Sequence, residues 1–132
     1  MELQVGVKVL LKNSEGKYLL MRRSAYEERG VGKWDFPGGR IDIGSTLTEN
    51  LKREVSEETG LELSSEPRLI AAQDLMWTDR HVVRLTYVGE ADGTVQLSEE
   101  HDEHKWFSLD ELRKLDNLDQ FLKKLLDDCV IV

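Results

Sequence analysis

Between Thr46 and Gly60 the chain spells out a helix with both ends marked, and this segment constrains the fold more than any other. Leu47, Leu51 and Val55 fall on one stripe at helical spacing. Thr46-Leu47-Thr48-Glu49 has the form of a capping box, in which a hydroxyl and a carboxylate satisfy the first free amides reciprocally. Gly60 stands where a helix ends in a left-handed residue. A helix with one apolar stripe must bury it, so the flanking sequence has to supply a layer for it to cover.

That layer is written in strands. Leu3, Val5, Val7, Val9 and Leu11 alternate with Gln4, Gly6, Lys8 and Leu10, the two-residue period of a strand with one buried face. Asn13 to Gly16 predicts a turn into a second strand, Lys17 to Arg22. Further strands are expected at Arg68 to Gln73, His81 to Gly89, Thr94 to Leu97 and Lys105 to Phe107, with Asp92-Gly93 as a hairpin turn. Ser108-Leu109-Asp110-Glu111 is a second capping box, and Leu118, Phe121, Leu122, Leu125 and Leu126 mark an amphipathic last helix. Strands, a central helix, more strands and a terminal helix predict an α/β layered domain. Its 132 residues suit a single domain spanning 1–132.

The central helix carries Arg53-Glu54-Val55-Ser56-Glu57-Glu58. Glu54, Glu57 and Glu58 stand at i, i+3 and i+4, and at about 3.6 residues per turn these positions share one face. Clustered carboxylates repel unless a cation lies among them, and hard oxygen donors suit Mg²⁺ or Mn²⁺ better than zinc. A solvated acidic face is the alternative in a chain with 33% charged residues. Upstream, Trp34-Asp35-Phe36-Pro37-Gly38-Gly39 ends in paired glycines, which let backbone approach a ligand closely.

In these residues the sequence resembles the Nudix hydrolase family. Gly39, Arg53, Glu54, Val55, Glu57, Glu58, Gly60 and Leu61 fall at the spacing of its signature, with Ser45 where the family has its first glutamate. The resemblance implies a Nudix-type α/β/α sandwich with a mixed β-sheet. It also implies a Mg²⁺-dependent enzyme, Mn²⁺ able to substitute, that cleaves a phosphoanhydride bond in a small nucleotide. Glu54, Glu57 and Glu58 would hold the metal with the backbone carbonyl of Gly38 or Gly39, and Arg53 would orient the glutamates. Glu49, Arg53 and Glu57, at i, i+4 and i+8, are placed to pair along one helix edge.

The resemblance implies a general base that is either a helix glutamate at Glu54 or one from a later loop holding Glu99, Glu100 and Glu103; because the family often has a glutamate shortly before an aromatic strand residue, Glu103, three residues before Trp106, is favoured among the latter. Arg22, Arg23, Gly38, Trp34 and Arg80 are the expected substrate contacts, with Phe36 and Trp77 as further stacking candidates. Within the family the chain looks most like the MutT-like triphosphate pyrophosphohydrolases. A hydrolase of ADP-ribose, nucleotide sugars or dinucleoside polyphosphates, or a non-catalytic nucleotide-binding domain, stands as the alternative.

Composition narrows the rest. A net charge of −8 disfavours extended nucleic acid as a partner. No apolar run approaches the roughly 20 residues that span a bilayer, and nothing resembles a secretion signal, so a cytoplasmic protein is expected. Cys129 is the only cysteine and is read as packing with the apolar tail; His81, His101 and His104 lack a zinc spacing with it. A homodimer is an expectation from the resemblance alone.

Overall fold

In the computed structural model, which describes residues 1–27, 29–128 and 130–131, seven strands and three helices follow one another along the chain. The strands are β1 (Glu2–Lys12), β2 (Tyr18–Arg23), β3 (Trp34–Asp35), β4 (Gly38–Arg40), β5 (Arg68–Met76), β6 (Arg80–Glu90) and β7 (His101–Phe107). The helices are α1 (Leu47–Thr59), α2 (Leu109–Arg113) and α3 (Gln120–Asp127). Cys129 lies outside the described residues.

The sheet runs β3-β2-β1-β6-β5, with β4 paired to β1 and β7 to β2. It is mixed: β1 and β6 are parallel from Glu2↔Arg80 to Lys12↔Glu90, while β5 joins β6 and β7 joins β2 antiparallel. Parallel neighbours need a covered crossover, and the long segment holding α1 provides it.

Two apolar clusters lie on the two sides of the strands. Val7, Val9, Leu11 and Leu19 pack with Leu51 and Val55 of α1. Leu10, Tyr18, Leu20, Phe36 and Phe107 pack with Leu112, Leu122, Leu125 and Leu126 of α2 and α3. The result is an α/β/α sandwich. It also corrects the reading of β1 as buried on one face: from Val7 to Leu11 both faces are covered, whereas Leu3 is exposed.

The helix ends form as their sequences require. The Thr46 hydroxyl accepts from the Glu49 amide at 3.1 Å, and the Glu49 carboxylate accepts from the Thr46 amide at 3.3 Å. Such a cap is worth about 1 kcal/mol. Gly60 closes α1 at φ 72°, its N–H donating to the Ser56 carbonyl. Ser108 and Glu111 repeat the capping box on α2.

One expected strand does not form. Residues 94–97 leave the sheet, because the Gln96 amide donates to the Thr59 carbonyl at the end of α1 and Val95 packs against the α1 cluster. Asp92 makes no hairpin there; it accepts from the Ser14 amide and hydroxyl across the neighbouring turn. The strand expected from Lys105 begins at His101, and β5 runs three residues past Gln73.

Candidate active site

The site is organised by the two glycines of β4. The Pro37 carbonyl accepts from the Val9 amide, so the chain crosses β1 at contact distance. At Gly38, φ is 148°, and a Cβ there would stand 2.0 Å from the Val7 carbonyl oxygen. A Cβ on Gly39 would stand 2.9 Å from a Glu54 carboxylate oxygen. A side chain at Gly38 would hold β4 away from the backbone of β1, whereas one at Gly39 would push aside the Glu54 carboxylate.

Two of the three helix carboxylates reach the cavity through this gap. Glu58 is buried, and one of its oxygens accepts from the Gly38 amide at 3.0 Å. Burial pushes its carboxyl up to about 8, against the opposing pull of Lys8 and the Gly38 amide. Glu54 is largely covered and also lines the cavity. Glu57 is more exposed and lies outside the lining.

Arg53 holds this set in place. Its guanidinium donates to Asp42, to Asn50 Oδ1 at 3.2 Å and to Glu54 Oε1 at 3.2 Å, and its Nε stands 3.8 Å from Glu57 Oε1. The expected partnership with Glu49 is not made, because that carboxylate is engaged by the Thr46 cap.

The cavity measures about 670 Å³ and lies between β1, β6, the β2–β3 segment and the start of α3. Its floor is a buried charge network. Lys8 Nζ donates to Asp35 at 3.2 Å and to the Phe36 carbonyl at 2.8 Å; Arg23 reaches the same carboxylate at 2.9 Å. Arg84 is 3.9 Å from Asp35 and donates to Asp119 at 2.9 and 3.3 Å. Burial would push the Asp35 carboxyl up, but Lys8, Arg84 and Arg23 together hold it well below the usual carboxylate range.

Arg23 also donates to Glu27 and to the Arg29 carbonyl, so all three sides of its guanidinium are fixed at the cavity wall. Arg80, Gly38, Gly39 and Trp34 line the cavity as well.

The structure separates other candidates from this site. Arg22 sits beyond the lining and pairs with Asp102 at 2.8 Å and Glu103 at 3.1 Å on exposed surface. Glu103 is not on a loop: it belongs to β7, opposite Arg22, and that ion pair turns it away from the cavity. Glu100, three residues earlier, lines the cavity instead. The Ser24 amide donates to the Glu100 carbonyl and the Ser24 hydroxyl to the Glu99 carbonyl, which fixes the approach to β7 against the end of β2. Partial burial and the neighbouring Glu27 raise the Glu100 carboxyl.

Lys8, Asp35, Arg84 and Asp119 were not singled out by the sequence reading. A signal existed for Arg84, a lone cation in the apolar run Val82-Val83-Arg84-Leu85, because an unpaired charge is not tolerated inside a strand layer.

Among the described residues, no three His, Cys, Asp or Glu side chains already gather about one point as a metal cage. The donors nonetheless fit a hard divalent ion. Mg²⁺ keeps several waters and needs only one or two carboxylates besides substrate phosphates, and the oxygens of Glu54 and Glu58 beside Gly38 and Gly39 supply that set.

The NUDIX domain model matches residues 2–129. A rat bis(5'-nucleosyl)-tetraphosphatase (asymmetrical) is 31% identical over 112 residues, covering 78% of this chain and 71% of its own. The 8-oxo-dGTP diphosphatase of Escherichia coli K12 is 28% identical over 108 residues, covering 82% and 81%. Among solved structures, a MutT protein from Methanosarcina mazei Go1 superposes with a TM-score of 0.87 at 30% identity, covering 96% of this chain and 92% of that one. The chain belongs to the Nudix hydrolase family.

Proposed function

We propose that the protein is a Mg²⁺-dependent pyrophosphohydrolase that cleaves a phosphoanhydride bond of a nucleoside triphosphate, standard or oxidised. The observation that carries this reading is the meeting of opposite charges along one cavity. Glu54 and Glu58 line one part of it, and Arg23, Arg29, Arg80 and Lys33 line another. A polyphosphate chain binds naturally across such a boundary, its oxygens drawn to the fixed guanidinium groups.

Glu54, Glu57 and Glu58, with a carbonyl of Gly38 or Gly39, would hold the divalent ion. When bound, that ion spreads charge from the phosphoryl oxygens and makes water a better nucleophile. Arg53 keeps Glu54 and Glu57 oriented through its contacts at 3.2 and 3.8 Å. Arg23, held by Asp35 and Glu27, presents a preorganised cation to the phosphates, so little rearrangement is required as charge develops.

Hydrolysis forms one P–O bond to water and breaks the anhydride P–O bond; the water's proton must pass to a base, and the leaving phosphate departs in line. Glu100 is the base we assign, in place of Glu103, since it faces the cavity and its carboxyl is shifted towards neutrality. Glu54 is the other candidate, and Glu100→Gln separates them.

The likeness to the rat tetraphosphatase favours a second substrate, a dinucleoside polyphosphate. Turnover on dNTPs, oxidised dNTPs, ADP-ribose, nucleotide sugars and dinucleoside polyphosphates, with Mg²⁺, Mn²⁺ or EDTA, tests both. A triphosphate should yield monophosphate and pyrophosphate. Silence across the panel despite nucleotide binding would sink the enzymatic reading.

A further inference from the structure

The aromatic residues near the cavity are not equivalent. Phe36 is fully buried beneath Lys8 and Arg84, and the Trp34 ring, which lines the cavity and is partly buried, packs edge-on against Phe107 of the core at 5.3 Å. Trp77 lines the same cavity from the turn between β5 and β6 and is likewise partly buried, but its edge-on partner is Phe121 at the cavity wall rather than a core residue.

The residues around Trp77 fix its plane and leave it partly exposed. Its amide donates to the Arg80 carbonyl at 2.9 Å, closing the turn. Phe121 meets it edge-on, with centroids 5.8 Å apart and planes at 87°. Phe121 is itself anchored: its amide donates to Asp119, and its carbonyl accepts from Gln73 on β5. The face of the indole is approached by the Arg29 guanidinium, 5.6 Å from the ring centroid.

That cap is weakly held. The ion pair that positions Arg29 is to Asp79 at 3.6 Å, and both side chains are about half exposed, so it contributes little. A cation at 5.6 Å is also too far to be in close stacking contact, whereas a flat heteroaromatic ring can reach the indole face at van der Waals distance.

We propose that Trp77 is the platform on which the nucleobase stacks, with Phe121 as its rigid buttress and Arg29 as the displaceable cap. This rests on the nucleotide reading above and deepens it. The phosphates would then lie towards Arg23 and the helix carboxylates, and stacking would select nucleotides over inorganic polyphosphates without selecting strongly among bases, since every base has a π-face.

The test separates binding from turnover. In EDTA, where metal-dependent cleavage is blocked, dGTP and ATP should quench the wild-type tryptophan fluorescence, and inorganic tripolyphosphate should not. Trp77→Phe should abolish most of that quenching while Trp34 and Trp106 still emit. With Mg²⁺, Trp77→Ala should raise KM for nucleotides at least about fivefold, the lower end for loss of one base stack, with kcat within about twofold. Trp77→Tyr should restore most of the loss, and tripolyphosphate affinity should be the same in all variants. An unchanged nucleotide affinity in Trp77→Ala, or an equal loss for tripolyphosphate, would overturn the platform. Quenching through Trp77 without any turnover would uphold it and remove the hydrolase reading instead.

Discussion

The Gly38 amide donates to the Glu58 carboxylate across 3.0 Å, joining the short strand β4 to the carboxylate face of α1. This bond explains why two adjacent glycines are needed and why they should tolerate substitution differently. Gly38→Ala would place a methyl group 2.0 Å from the Val7 carbonyl and 2.7 Å from the Lys8 Cα, both backbone atoms that cannot step aside, at a φ of 148°. We expect a loss of about 3 kcal/mol or more, read as a lowered Tm. Gly39→Ala meets only the mobile end of Glu54. Its Tm should stay close to wild type while turnover falls, because the carboxylate is displaced. Equal destabilisation in the two variants would contradict this division.

Removal of charge from the helix face should act on chemistry alone. Glu54→Gln and Glu57→Gln should each lower Mg²⁺-dependent turnover by at least about a hundredfold, with circular dichroism unchanged. EDTA should abolish wild-type turnover to the same degree. Turnover that survives in Glu57→Gln would take that exposed carboxylate out of the metal set and leave Glu54 and Glu58 to hold the ion.

Much of this site was legible because its logic is local. The helix from Leu47 to Thr59, its caps and the i, i+3, i+4 carboxylates depend on residues within a turn or two of each other, and they formed where the spacing placed them. What escaped the sequence depends on pairing between distant segments. Nothing adjacent to Arg84 announces Asp119, its partner from the start of α3. Arg22 and Arg23 are neighbours in sequence, yet strand geometry sends one to Asp102 and Glu103 and the other to Asp35. Glu103 was favoured by its distance from Trp106, but β7 begins at His101, so Glu103 is already paired in the sheet and Glu100 is left facing the cavity. The strand expected at 94–97 failed for the same reason, since its backbone partner is the end of α1.

His101 provides a pH-dependent term in stability. The ring is buried, and neither nitrogen has a hydrogen-bond partner among the described residues. Burial lowers its pKa to about 4, with Lys8 and Arg23 adding to the effect and Asp35 and Asp102 opposing it. A depressed pKa means that the unfolded chain takes up a proton first. The stabilisation is therefore complete above about pH 6.5 and is lost as pH falls towards 4, by roughly 2 kcal/mol after allowance for solvent screening. Carboxylates elsewhere also titrate, so the measurement is the difference in urea unfolding free energy between wild type and His101→Gln across pH 4–7. A difference that does not change with pH would remove His101 as the source.

Ser45 stands where the Nudix signature carries its first glutamate, in the turn that leads into α1. Its amide donates to the Asp42 carbonyl at 3.2 Å, and the Asp42 side chain in turn engages Arg53. Asp42 thus already supplies a carboxylate to the residue that orients Glu54 and Glu57, which leaves position 45 free of that task. The serine side chain is partly exposed, so a longer side chain can be accommodated without displacing the core. Ser45→Glu should therefore fold normally and turn over substrate at least as fast as wild type, while Asp42→Asn should lower turnover by loosening Arg53. Steady-state kinetics of the two single variants and the double variant decide the matter. If adding Ser45→Glu restores the rate lost in Asp42→Asn, the two carboxylates perform the same task; if Ser45→Glu by itself slows the enzyme, the site is adapted to serine.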